Sequence, residues 1–143
     1  MLKLTKKADY GLIALRHLAV APAGEAASAK EIAEAYGIPL PLLSKVLQKL
    51  ARGGLLASVQ GTNGGYKLTR DPMNITALEA ISAIEGPIVL TACFTSHSGC
   101  DHSVRCSVRE PLRKVHERII SVLEGMTIAE IAAETPVSLT VLR

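Results

Sequence analysis

The stretch Ser28-Ala-Lys-Glu-Ile-Ala-Glu-Ala-Tyr-Gly-Ile-Pro-Leu-Pro-Leu-Leu-Ser-Lys-Val-Leu-Gln-Lys-Leu50 reads as two short helices joined by a sharp stop. Ser28 followed three residues later by Glu31 is a pair able to satisfy orphan amides at a helix start. Ile32, Ala33 and Ala35 give that helix its apolar positions, and Tyr36-Gly37-Ile38-Pro39 interrupts it. Pro41 suits the first turn of the next helix, where a missing N–H costs nothing. Leu42, Leu43, Val46, Leu47 and Leu50 then recur at spacings of three and four, so one face is buried. The other face carries Ser44, Lys45, Gln48, Lys49 and Arg52, donors suited to phosphates and base edges.

Gly53-Gly54 ends the second helix. Two short strand-like runs follow, flanking the turn formers Gly61-Thr-Asn-Gly-Gly65, and predict a β-hairpin with a basic return strand ending near Arg70. A helix-turn-helix followed directly by such a hairpin is a winged helix. Its second helix is expected in the major groove of DNA, with the wing on the backbone or minor groove. A packing-only helix pair has the same local pattern; the wing and the charge separate the two. Residues 1–70 carry ten Lys/Arg against four acids, a surplus of six, while the rest of the chain carries six Lys/Arg against nine acids. A basic half beside an acidic half points to a polyanion partner for the first.

Outward from this module, Lys6 to Val20 predicts a first helix, with Leu12, Ile13, Leu15 and Leu18 on its apolar side. Thr76-Ala-Leu-Glu79 and Thr127-Ile-Ala-Glu130 repeat the capping pair. Pro111 starts a long helix whose Leu112, Val115, Ile119, Val122 and Met126 keep the a/d spacing of a helix that packs on another helix. A homodimer joined through this helix fits a two-fold operator. With 48% hydrophobic residues, 3% aromatics and no Trp, the core must be aliphatic. No apolar run approaches the roughly 20 residues of a membrane span. The N-terminus, with Lys3, Lys6, Lys7 and Asp9, does not read as a signal peptide, so a cytoplasmic protein with reduced thiols is expected.

All three cysteines, Cys93, Cys100 and Cys106, fall within fourteen residues, in a loop-like segment of Ser, Thr, Gly and His. The odd count leaves a thiol over from any disulfide, and the spacing is neither a zinc ribbon nor a familiar ferredoxin run. Three thiolates around one positive centre are the natural use. Spacing leaves iron–sulfur, zinc and thiol-redox chemistry open. Catalysis by these cysteines with His97, His102 or His116 as base finds no support in a phosphate loop, paired carboxylates or an oxyanion motif.

The chain resembles the IscR/NsrR-type iron–sulfur transcriptional regulators (the Rrf-two family) from Leu2 to about Ala133. The resemblance rests on Leu4-Thr-Lys-Lys-Ala-Asp-Tyr-Gly11, the Gly61-Thr-Asn-Gly-Gly-Tyr-Lys-Leu68 wing, and a three-cysteine loop ahead of a long helix. Within the family, Ala83-Ile-Glu-Gly-Pro-Ile-Val-Leu-Thr-Ala-Cys93 and Cys106-Ser-Val-Arg109 are most similar to the regulators of SUF iron–sulfur assembly.

The resemblance implies a mainly α, dimeric winged helix-turn-helix regulator with a two-stranded wing and a dimerisation helix. Residues 1–86 would bind DNA, 87–109 would hold a 2Fe–2S or 4Fe–4S cluster, and 110–143 would form the dimerisation helix and tail. Cys93, Cys100 and Cys106 would be ligands. Where some relatives place a ligating His after the third cysteine, this chain has Arg109. Asp9 stands where others take an acidic ligand from the partner's first helix, with His102 and His97 the next candidates. On the DNA side, Lys6, Lys7, Lys45, Lys49 and Lys67 are expected on phosphates, and Ser44 and Gln48 on base edges. Gln60 and Thr62 belong to the wing, with Gln60 where relatives often carry Arg. The competing reading keeps the same DNA module but cycles the cysteines as a metal-free thiol-redox switch.

Overall fold

The chain runs through α1 (Lys6–Val20), α2 (Ala29–Tyr36), α3 (Leu40–Arg52), β1 (Leu56–Val59), β2 (Gly65–Leu68), a short 3-10 turn (Pro72–Asn74), α4 (Ala77–Glu85), α5 (Arg109–Gly125) and α6 (Ile128–Ala133). This is a computed structural model that describes residues 5–22, 24–61, 64–88 and 109–133. The architecture is mainly α with one two-stranded antiparallel sheet, the winged helix-turn-helix expected from the sequence.

The hydroxyl half of each capping pair forms. Ser28 Oγ accepts from the Glu31 amide at 3.1 Å, Thr76 Oγ1 from Glu79 at 3.1 Å and Thr127 Oγ1 from Glu130 at 3.2 Å. At the other end of α2, Gly37 closes the helix in a left-handed conformation, φ 66°. The tight stop brings α3 back against α2, and α3 in turn packs on α1 and α4.

The core is aliphatic. Leu15, Ile32, Leu43, Val46, Leu47, Leu50, Ile75, Ile81 and Ile128 are all under 2% exposed, and no polar side chain among the described residues is buried. Helix α1 runs through the middle of it, burying Ala8, Gly11, Ala14, Leu15 and Leu18. The small residues let neighbouring helices come close: a Cβ on Gly11 would sit 2.2 Å from Ile84 Cδ1 and 3.3 Å from Val46 Cγ1.

The wing pairs Leu56 with Leu68 and Val59 with Gly65. Its inner strand also exchanges two main-chain hydrogen bonds with Ala27, Ala27 N to Tyr66 O at 3.0 Å and Tyr66 N to Ala27 O at 2.8 Å. The loop after α1 thus anchors the hairpin to the helical body.

The C-terminal part folds back on the N-terminal helices, which no local pattern in the sequence indicates. Helix α6, grouped there with residues 110–143, returns to pack on α1, and Ile128 is fully buried in the core of the N-terminal module. Two main-chain hydrogen bonds at 2.8 Å hold it, Ala77 N to Met126 O and Ile128 N to Ile75 O. Helix α5 packs on α4 and leaves much of its a/d stripe uncovered, with Val115 45% and Val122 65% exposed. Among the described residues, no helix is long and apolar enough to cross a membrane.

Gly65 is the position where the wing is most sensitive. Its φ is +148°, and a Cβ there would meet the Ala27 carbonyl oxygen at 2.3 Å and Ser28 N at 2.6 Å, contacts with backbone that cannot rotate away. Gly65→Ala is expected to lower unfolding stability by roughly 2–4 kcal/mol. Gly125, with nothing within 4 Å of its notional Cβ, should accept Ala with no loss or a gain of about 0.5–1 kcal/mol. Urea denaturation of both variants against the parent measures the contrast.

Candidate nucleic-acid interface

At 100° per residue, Pro41, Ser44, Lys45, Gln48 and Arg52 fall along one side of α3, opposite the buried Leu43, Val46, Leu47 and Leu50. Lys45, Gln48 and Arg52 are exposed and Ser44 is half-buried. This outer side offers a hydroxyl, an amide and two cations on a rigid helix. The helix is held from behind by the core, so its exposed groups are presented without rearrangement.

Lys49 is placed differently from its neighbours. It is half-buried, and its Nζ donates to the Ile84 carbonyl oxygen at 3.2 Å, in the last turn of α4. That bond fastens α3 to α4, and the ammonium keeps two further donors. The signal was present in the spacing, because position 49 lies at the boundary between the buried and exposed sides of α3.

The wing contributes Lys67, exposed on β2 opposite Ala57, and Gln60, exposed at the end of the first strand. Thr62 lies outside the described residues. Lys6 and Lys7 are exposed in the first turn of α1, where the helix dipole disfavours cations. Two acids offset this. Asp9 lies in the same turn, and the Glu85 carboxylate accepts from the Thr5 amide at 3.1 Å and from the Thr5 hydroxyl. Thr5 is the N-cap of α1, so the end of α4 is tied to the start of α1 as well as to α3. Nothing local in the sequence signals the Glu85 contact, which joins residues far apart in the chain.

Asp9 is exposed, and no ion pair or side-chain hydrogen bond engages it among the described residues. Cys93, Cys100 and Cys106, with His97 and His102, lie outside the described residues. The segment that bears them leaves from α4 and rejoins at α5, two helices that pack on each other. Among the described residues alone, no group of three His, Cys, Asp or Glu side chains is assembled that could hold a metal ion.

A winged helix-turn-helix with a cationic outer helix face is the form of a DNA-binding transcriptional regulator, not of an enzyme. The chain belongs to the Rrf2 family, whose model, described as an iron-dependent transcriptional regulator, matches residues 4–134. The HTH-type transcriptional regulator IscR of Aliivibrio salmonicida is 32% identical over 136 residues, covering 95% of this chain and 80% of its own. Among solved structures, CymR (YrzC), the global cysteine regulator of B. subtilis, has a TM-score of 0.78 at 29% identity, covering 95% of this chain and 100% of that one. The T. potens IscR structure has a TM-score of 0.73 at 28% identity, covering 98% and 96%.

The two lysines of α3 should separate cleanly in solution. Lys45→Ala is expected to leave stability unchanged and to reduce the slope of log affinity against log salt by about one. Lys49→Met, which removes the bond to Ile84, is expected to cost about 1–2 kcal/mol of stability. Denaturant curves and a salt series of DNA-binding isotherms test both, and equal stability losses in the two variants would contradict the placement of Lys49.

Proposed function

We propose that the chain acts as a cytoplasmic homodimer on a pseudo-palindromic DNA operator, with affinity governed by an iron–sulfur cluster, 2Fe–2S or 4Fe–4S, held by Cys93, Cys100 and Cys106. The observation that carries this reading is the concentration of every thiol of the chain between α4 and α5, in a member of a family described as iron-dependent. The donor set fits such a group: three thiolates suit iron, their odd number does not suit disulfides, and the segment's two ends are held by packed helices. Asp9, exposed on α1, supplies the fourth ligand across the dimer. Genes of iron–sulfur assembly or of redox and nitric oxide stress are the targets in this reading.

Within the chain, residues 1–86 bind DNA, 87–109 form the cluster loop, and 110–143 provide the dimerisation helix and tail. Lys45, Lys49, Lys67, Lys6 and Lys7 engage phosphates, Ser44 and Gln48 read base edges, and Gln60 and Thr62 place the wing. When bound, the cluster supplies a link between thiolates that oxidants, nitric oxide or iron shortage can remove. The residues that pass this on are at the end of α4. Glu85 holds the cap of α1 and the Ile84 carbonyl holds Lys49 of α3, so a change where the loop leaves α4 biases both DNA-facing helices.

Anaerobic purification with an absorption spectrum and iron, sulfide and zinc analyses tests the cofactor. A brown protein containing iron and sulfide is expected, with colour lost in Cys93→Ala and weakened in Asp9→Ala. Unchanged spectra and operator affinity in Asp9→Ala would remove Asp9 from the site. A protein that stays colourless and iron-free after reconstitution would instead be a metal-free thiol regulator. The dimer is tested through Val122, since a Val122→Glu substitution on the exposed stripe of α5 should shift sedimentation from dimer to monomer while the melting of the N-terminal module stays intact.

A further inference from the structure

Leu40 begins α3 with 40% of its surface exposed, and Pro39 and Pro41 on either side are exposed as well. The buried side of α3 is complete without it, since Leu43, Val46, Leu47 and Leu50 already fill the core. Leu40 and Ser44 are one turn apart on the same flank, and Pro41 precedes Lys45 and Gln48 by one and two turns. Pro41 therefore continues the outer side of α3, and Leu40 stands exposed on the flank beside Ser44. Single exposed apolar residues are ordinary on protein surfaces. Here the apolar group stands at the leading end of a helix whose remaining exposed residues are polar or cationic.

The surroundings decide what can cover it. Lys45 and Arg52 on the same helix suit a polyanion, and a tip of one leucine and two prolines is too small to hold a protein partner or a membrane. Duplex DNA offers an apolar group among polar edges in one place, the C5-methyl of thymine in the major groove, and residues at the start of the second helix of a helix-turn-helix are the ones that reach base edges. We infer that Leu40, with Pro41 beside it, reads a thymine methyl in the operator. The inference rests on α3 being the recognition helix.

The experiment selects sites from a random duplex pool with the anaerobically purified full chain. Each thymine of the selected half-site is then replaced in turn by deoxyuridine, which lacks only the methyl group, and binding is followed by fluorescence anisotropy. At one position per half-site the replacement is expected to weaken the parent chain about fourfold, the worth of one buried methyl. Leu40→Ala should bind the thymine and uracil duplexes alike at that position. Leu40→Met, which keeps an apolar end, should retain the preference, and both variants should melt as the parent does because Leu40 lies outside the core. A uracil penalty that persists undiminished in Leu40→Ala, or no sensitive position at all, overturns this inference and leaves DNA binding standing. A parent chain that binds no duplex overturns the DNA reading and this inference with it.

Discussion

The close approach of α1 to its neighbours is the constraint from which the rest of the molecule follows. A chain with 3% aromatics and no Trp cannot bridge wide gaps between helices with large rings. It closes them with small residues on α1 instead, where Ala8 and Ala14 are wholly buried and Gly11 leaves room for the end of Ile84. Interiors pack to nearly crystalline density, so this contact sets the positions of α3, α4 and α6 together. The presentation of α3 to solvent is a by-product of that packing, and so is the point at which α4 ends.

Because no polar side chain is buried among the described residues, electrostatics works at the surface and at helix ends. Lys49 and Glu85 act there on termini of α4 and α1, Asp71 caps the 3-10 turn, and Arg70 reaches Glu79 in the first turn of α4. On α5, Arg113 lies between Glu110 and Glu117 one turn either way; the hydrogen bond to Glu110 and the charges of both acids raise its guanidinium above the ordinary value. Such exposed pairs keep a helix regular at small energetic gain. The charges that remain unpaired on α3, β2 and the start of α1 are mostly positive, which accords with a polyanionic partner.

Local features were legible in the sequence and distant ones were not. Ser28, Thr76 and Thr127 announced their helices because a cap depends on residues within one turn. The wing was legible for the same reason, through its glycine-rich turn and the strand-like runs on either side. The return of α6 was not, since Ile128 finds its partners on α1 and beside Ile75, and no short-range pattern encodes that pairing. The spacing puts Lys49 at the edge of the buried side of α3, but its partner, the Ile84 carbonyl, is distant in the chain and no local pattern names it. Leu40 is a leucine that periodicity alone does not place outside the core, because its exposure is set by how α3 lies on its neighbours. For the cysteines the type and number of donors were readable, while their arrangement depends on residues outside those described.

The pair of main-chain hydrogen bonds on either side of the facing Thr76 and Thr127, Ala77 N to Met126 O and Ile128 N to Ile75 O, has a topological consequence. It makes everything from α4 to the end of α5 a closed excursion with a hydrogen-bonded neck. The neck is formed by backbone groups, so it does not depend on which side chains the excursion carries. Closing a longer loop costs little more than closing a shorter one, about 0.6 kcal/mol for each doubling of length. The segment between α4 and α5 can therefore be lengthened, shortened or re-equipped at small cost to the body beneath it. The body thus keeps its own closure whatever length of chain the neck spans.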